Sequence, residues 1–353
     1  MYELTKKLKK IDSYEPVELD FKIRLDANES PLNVTPEMAE EIGEAVKKIP
    51  FNRYPDPYAC KVRQAFADRF NLPIEYITAG NGSDELISII ASCFLEKGDR
   101  ILTLTPDFSM YAFYSKLYEL DVRILQKDEA YNTINVSEII EYCNVNNIKA
   151  VIFSNPCNPT SLGIKKSEII RLLKNVFCLV IIDEAYMDFW DESVLDEVQN
   201  FDNLIVLKTC SKAYGAAAIR LGFAVAKEEI SKALRAAKSP YNTDTLSQVI
   251  GEIILRHSDI ADRNIKTITE NKEYLQSGLE KLSEDFGVID KVFDSVTNFV
   301  LIRTIKGREI YEALLEKSIS VRYMGKFLRI TAGTKAEIDT LLTELRVILE
   351  DLN

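Results

Sequence analysis

The chain has one histidine, His257, among 353 residues. That scarcity removes whole reaction classes. A metal site built from several imidazoles cannot be assembled. A Ser-His-Asp hydrolase would have to use His257 itself, and no Gly-x-Ser-x-Gly elbow is there to carry the serine. His257 closes the apolar helical pattern Ile253-Ile254-Leu255-Arg256 and reads as a surface or helix-end residue, where a cation suits the helix dipole. None of the six cysteines forms a Cys-x-x-Cys pair, and Cys93 and Cys178 lie in apolar runs that read as core. No apolar run approaches the ~20 residues of a membrane span. The Lys-rich start shows no secretory leader, so a reducing cytoplasm is the expected compartment. Positive charge is also short: 44 Lys and Arg face 55 Asp and Glu, a net charge of -11. That disfavours nucleic-acid binding, which needs a basic face, but a few arginines can still make a local anion pocket. Gly80-x-Gly82 is followed by Glu85 rather than a third glycine, so the dinucleotide fingerprint is missing.

What remains is an ordinary globular balance, 46% hydrophobic and 28% charged, in a chain long enough for two domains. From about residue 75 to 225, short Val/Ile/Leu runs alternate with amphipathic helical stretches. Strands are expected at residues 76–79, 100–104, 121–125, 149–153, 177–182, 204–208 and 221–226, with helices at 84–95, 137–146 and 167–174. This alternation predicts an α/β fold: a three-layer α/β/α large domain around a mainly parallel, seven-stranded sheet. After residue 240 a long helical region runs to about 284. Strand patterns near 298–303, 320–323 and 327–331, a helix near 309–317 and a terminal helix from 335 predict a smaller α+β domain. The expected division is an N-terminal arm over 1–30, a large domain over 31–240 and a small domain over 241–353.

In an open parallel sheet, ligands bind beyond the carboxyl ends of the strands. Five strand ends here carry chemistry. Gly82-Ser83-Asp84 opens a helix whose free N–H groups suit an anion, though the same residues suit a plain N-cap. Phe108 follows the second strand, and Asn158 follows the fourth. Asp183 ends the fifth, where a buried carboxylate is costly unless it meets a cation such as a protonated pyridine. Thr209, Ser211 and Lys212 follow the sixth, with Arg220 eight residues on. A partly desolvated lysine near an arginine has a lowered pKa and suits imine chemistry; a surface helix-capping lysine is the plainer reading.

These residues, taken in order, resemble the fold-type-I pyridoxal-phosphate (PLP) aminotransferases, and within them the histidinol-phosphate aminotransferase group. The resemblance spans about residues 25–333. It rests on Leu25-Asp26-Ala27-Asn28-Glu29, Arg53-Tyr54-Pro55-Asp56-Pro57, Gly80 to Leu86, Asn155-Pro156-Cys157-Asn158-Pro159-Thr160, Asp183-Glu184-Ala185-Tyr186, Ser211 to Gly215, Pro240-Tyr241-Asn242, Thr297-Asn298-Phe299 and Leu328-Arg329-Ile330-Thr331. The resemblance implies that Lys212 holds PLP as a Schiff base and moves the proton between substrate and cofactor. It implies that Asp183 pairs with the ring nitrogen. Asn158 and Tyr186 would bond the ring's phenolic oxygen, and Phe108 would stack on its face. Gly82, Ser83, Asp84, Thr209, Ser211 and Arg220 would hold the phosphate, with Tyr54 reaching it from the other subunit of a homodimer. Arg329 would take a substrate carboxylate. Arg322 would take a substrate phosphate, or is a solvated strand arginine. Tyr14, Asn28 and Glu29 would line the substrate side.

The expected partners are therefore small amino and oxo-acid substrates, with no nucleic acid and no membrane. The leading activity is transamination of histidinol phosphate with 2-oxoglutarate. A threonine-phosphate decarboxylase or an aromatic aminotransferase would use the same fold. A PLP-fold transcription regulator would need a DNA-binding domain that the residues before Leu25 cannot supply. The chain departs from the family where Asn-Pro-Thr-Gly is usual: Thr160 is followed by Ser161-Leu162-Gly163, a displaced glycine. Ala218 and Val17 also stand where the family often has glycine.

Overall fold

The computed structural model describes residues 2–5, 7–10, 20–128, 130 and 132–352. Tyr14 and Val17 lie outside the described residues. After β1 (Ile23–Leu25), seven strands form the large sheet: β2 (Ile77–Asn81), β3 (Arg100–Thr105), β4 (Asp121–Gln126), β5 (Ala150–Ser154), β6 (Leu179–Asp183), β7 (Leu204–Thr209) and β8 (Leu221–Ala226). Their order is β2-β8-β7-β6-β5-β3-β4. The run from β7 through β4 is parallel, while β8 is antiparallel to both β2 and β7. The fold is thus the expected α/β class with a mainly parallel sheet.

Successive strand residues face opposite ways, and both faces are dry. Val180 and Ile182 pack into one core with Val151, Phe153, Val206 and Phe223. Ile181, between them, packs into the other with Ile152, Ile205, Leu207 and the helix residues Leu86, Ile87 and Ile90. Each such fully buried aliphatic is worth ~1.5–3 kcal/mol, so the central strands are held rigidly and their ends with them.

One expected strand starts later than its apolar run, and one expected core residue is not core. Phe177 is fully exposed, and its strand begins at Leu179, opposite Ala150 of β5. Cys93 is exposed at the last residue of helix Gly82–Cys93, beyond the buried stripe that includes Leu86, Ile90 and Ala91.

The second sheet contains β9 (Ile289–Val292), β10 (Phe299–Thr304), β11 (Ile319–Met324) and β12 (Phe327–Thr331). Its order is β1-β11-β12-β10-β9, with β1 parallel to β11 and the remaining pairs antiparallel. Leu25 joins its core beside Leu275, Leu279, Leu282, Ile338, Leu341 and Leu345. The segment expected as an N-terminal arm therefore carries an edge strand of this sheet.

The expected boundary after residue 240 does not coincide with a change of core. Helix Thr245–Arg256 contributes Ile254 and Leu255 to the large-sheet core. The change comes inside helix Ser258–Phe286, where Ala261 packs with the large sheet and Leu275 with the small one. His257 sits between these helices as expected, its Nε2 2.7 Å from Glu41. Among the described residues, no helix is long and apolar enough to cross a membrane.

Candidate active site

The carboxyl ends of the large sheet meet β12 and the segment that follows β1, and candidate residues gather there. At the β2 end, Gly82 takes φ +79° and starts a twelve-residue helix. A Cβ on Gly82 would lie 2.8 Å from Arg220 Nη2, and one on Gly222 would lie 2.5 Å from the Ser83 nitrogen. Two bare backbones thus close around a hollow that only glycines permit. Arg220 itself has φ +48°. Its Nη1 is 3.4 Å from Ser211 Oγ, and its Nη2 is 3.9 Å from Asp84 Oδ2. Thr209 Oγ1 donates to Ser211 Oγ at 3.0 Å, and accepts from the Ser211 amide at 3.2 Å. Helix N–H groups, two hydroxyls and a guanidinium converge, which suits a phosphate.

Lys212 Nζ donates to the Ala27 carbonyl at 2.9 Å. Burial, with the Arg329 guanidinium next in weight, brings its ammonium down from 10.5 to about 8. Asp183 is 3% exposed at the end of β6. Its Oδ2 accepts from the Tyr111 hydroxyl at 2.8 Å, and its Oδ1 from the Ala185 amide at 3.0 Å. Burial pushes its carboxyl up to about 6, against the pull of those two donors. Neither group has an ion-pair partner among the described residues. A half-buried amine and a buried carboxylate on one rim each lack a direct ion pair, which a ligand can supply.

Around them further polar groups close in. Tyr186 is buried, and its hydroxyl accepts from Asn28 Nδ2 at 2.8 Å. Asn28, at φ +54°, is fixed by its amide donating to Thr331 Oγ1 at 3.0 Å and by Asn298 Nδ2 donating to its carbonyl at 3.1 Å. Arg329 donates to Asn158 Oδ1 and to the Asp26 carbonyl, and its guanidinium lies over the Phe299 ring at 5.4 Å. Arg322 on β11 stands directly opposite Arg329 on β12 in the antiparallel register. Opposite residues share a face, so both arginines project from one side of the small sheet. Glu29 pairs with Arg24 at 3.3 Å. Phe108 meets Tyr111 edge to face at 5.5 Å.

Lys212, Asp183, Tyr186, Asn28, Asn158 and Arg329, with Ser211, Arg220 and Asp84, thus form one linked cluster. Tyr54 lies apart from it: 80% exposed and stacked on Tyr241 at 4.5 Å. Tyr111 was not among the candidates from sequence. Its one signal was its place three residues after Phe108, which a core tyrosine shares. The displaced glycine also resolves. Ser161 takes the left-handed position at φ +63°, and its hydroxyl donates to the Asp294 carbonyl at 2.8 Å. Gly163 is required where it stands, because a Cβ would lie 2.0 Å from the Trp190 ring.

Residues 21–345 match the family described as aminotransferase class I and II. A histidinol-phosphate aminotransferase from Clostridium novyi (strain NT) is 41% identical over 337 residues, covering 94% of this chain and 93% of that protein. One from Clostridium kluyveri is 39% identical over 348 residues, covering 97% of each. The crystal structure of histidinol-phosphate aminotransferase from Sinorhizobium meliloti in complex with pyridoxal-5'-phosphate superposes with a TM-score of 0.90 at 20% identity, covering 100% and 99% of the two chains.

Proposed function

We propose, for a chain that belongs to the class I and II aminotransferases, that it moves an amino group between histidinol phosphate and 2-oxoglutarate. The family is PLP-dependent, and the site fits that cofactor. The Gly82–Gly222 hollow with Ser83, Asp84, Thr209, Ser211 and Arg220 suits the phosphate. Asp183 suits the pyridine nitrogen, Phe108 the ring face, and Asn158 and Tyr186 the phenolic oxygen. When bound, PLP supplies an aldehyde that takes up the amino group and a ring that accepts the electron pair left on the substrate carbon.

The protein's part is positional and acid–base. Lys212, with its pKa brought down to about 8 by burial first, is partly free amine near neutral pH and can take and return the substrate's Cα proton. Asp183 keeps positive charge on the ring nitrogen. Asn28 fixes the Tyr186 hydroxyl. The two half-reactions share one site, as ping-pong exchange requires.

The observation that carries the substrate is the cross-strand pair Arg322–Arg329. Arg329, bonded to Asn158, suits the carboxylate of the amino-acid donor. The Arg322 side chain has no hydrogen-bond or ion-pair partner among the described residues, which suits it to the phosphate of histidinol phosphate. That both relatives at 41% and 39% identity are named aminotransferases favours this over decarboxylation. We further propose a cytoplasmic homodimer with Tyr54 completing the partner's phosphate site. The exposed aromatics Phe51, Tyr54, Tyr58 and Tyr241 and the six free cysteines support that reading.

The test is turnover of histidinol phosphate with 2-oxoglutarate in protein fully loaded with PLP. Arg322→Ala should lower kcat/KM for histidinol phosphate ~10–100-fold, the worth of a lost charge-assisted bond, while sparing an unphosphorylated amine. Equal losses on both substrates would remove Arg322 from the phosphate. Loaded protein that leaves histidinol phosphate untouched would refute the substrate assignment.

A further inference from the structure

Asp183 is held by two donors, and only one belongs to the backbone of its own loop. The other is Tyr111, 1% exposed on helix Met110–Leu117, within the core that includes Ile152 and Ile181. A phenylalanine would fill that space. A tyrosine there brings a hydroxyl that must find a partner, and it finds Asp183 Oδ2 at 2.8 Å.

We infer that Tyr111 is a positioning residue whose hydroxyl keeps Asp183 an ionised, correctly turned carboxylate, ready to meet the protonated ring nitrogen of the cofactor. This rests on the reading that Asp183 faces that nitrogen. Two anchors fix the carboxylate plane: Ala185 N–H on Oδ1 and Tyr111 O–H on Oδ2. Each oxygen keeps a lone pair for a further donor.

The remaining groups facing Asp183 work against ionisation. Burial raises its pKa, and so do the carboxylates of Asp107 and Asp84. The buried Tyr186 phenol and the Cys157 side chain near Tyr111 bring no positive charge. No cation lies within ion-pair distance of Asp183 among the described residues. Tyr111 is itself pushed well above the usual phenol range by burial, so it stays a donor at every working pH. Without that donor, the carboxyl would take a proton near neutrality, and a neutral acid offers a pyridinium no opposite charge.

The experiment is Tyr111→Phe in the full chain, which removes one oxygen and keeps the ring against Phe108. Infrared difference titration, with Asp183→Asn to identify the band, reads the pH at which Asp183 loses its proton before PLP is added. Titration with PLP then gives its dissociation constant. The carboxyl midpoint should rise by about one unit or more, and PLP should bind about tenfold more weakly or worse, with the circular dichroism unchanged. An unmoved midpoint overturns the proposal, and so does a PLP affinity within about twofold of wild type. Asp183→Asn alone reports on the underlying reading. Wild-type PLP affinity in that variant would mean that Asp183 does not meet the ring, whatever Tyr111→Phe does to the carboxyl.

Discussion

Lys212 ends against a carbonyl rather than a carboxylate, and that sets its chemistry. Burial disfavours the ammonium, Arg329 repels it, and Arg220 adds to the repulsion, while Glu29 and Asp84 oppose them. With a pKa of about 8, roughly one lysine in ten is free amine at pH 7, against roughly three in ten thousand for an ordinary lysine. Uptake of PLP into a borohydride-trappable form should rise with pH about a midpoint near about 8. Arg329→Gln removes a repulsive charge and should move that midpoint upward. A midpoint at the ordinary 10.5 would show that Lys212 is solvated, not buried. At this scale the sequence reveals residues whose order is distinctive, such as Ser211-Lys212 or Asp183-Glu184. It does not reveal Tyr111, because an aromatic in an apolar helix looks the same whether its hydroxyl is idle or aimed at a carboxylate 72 residues away.

The hollow proposed for the phosphate belongs to the elements rather than to any one side chain. β8 enters the sheet antiparallel, and Gly222 pairs with Gly80 on β2 and Thr209 on β7. That register lays Gly222 beneath the first turn of helix Gly82–Cys93, where a Cβ would meet the Ser83 nitrogen at 2.5 Å and the Gly82 carbonyl carbon at 2.6 Å. Backbone cannot swing aside as a side chain can. Gly222→Ala should therefore cost ~1–3 kcal/mol by overpacking and weaken PLP binding about tenfold or more. Gly43→Ala, with nothing within 4 Å in helix Pro36–Val46, is the control and should be neutral or slightly stabilising. Thermal unfolding and PLP titration of both variants check this, and similar behaviour in the two would refute the close approach.

The seven strands of the large sheet are legible because strands buried on both faces read as unbroken Val/Ile/Leu runs. β1 and β9 are not, being three and four residues long and carrying Arg24, Asp290 and Lys291. The reversed direction of β8 is also hidden, since direction is set by the connection and not by composition.

At the scale of the molecule, the apolar periodicity of helix Thr245–Arg256 predicts a helix but not the sheet it serves. It packs on the large sheet, and helix Ser258–Phe286 then spans both cores. Tyr54 poses a similar question of allegiance. It is 80% exposed, stacked on Tyr241 and apart from the cluster around Lys212 within its own chain. Exposed aromatics are costly on a lone surface and ordinary in an interface core. If Tyr54 serves the partner's site, the two halves of an active site can be damaged on different chains and recovered by mixing. Lys212→Ala removes the amine, and Tyr54→Glu sets a carboxylate against the phosphate, so each homodimer should be inactive at limiting PLP. In a heterodimer of the two, one site carries both lesions and the other carries neither. Random one-to-one pairing should restore roughly a quarter of wild-type turnover. If Tyr54 served its own chain, every heterodimer site would carry one lesion and mixing would restore nothing. The same null result from a chain that sediments as a monomer would place the complete site within one subunit.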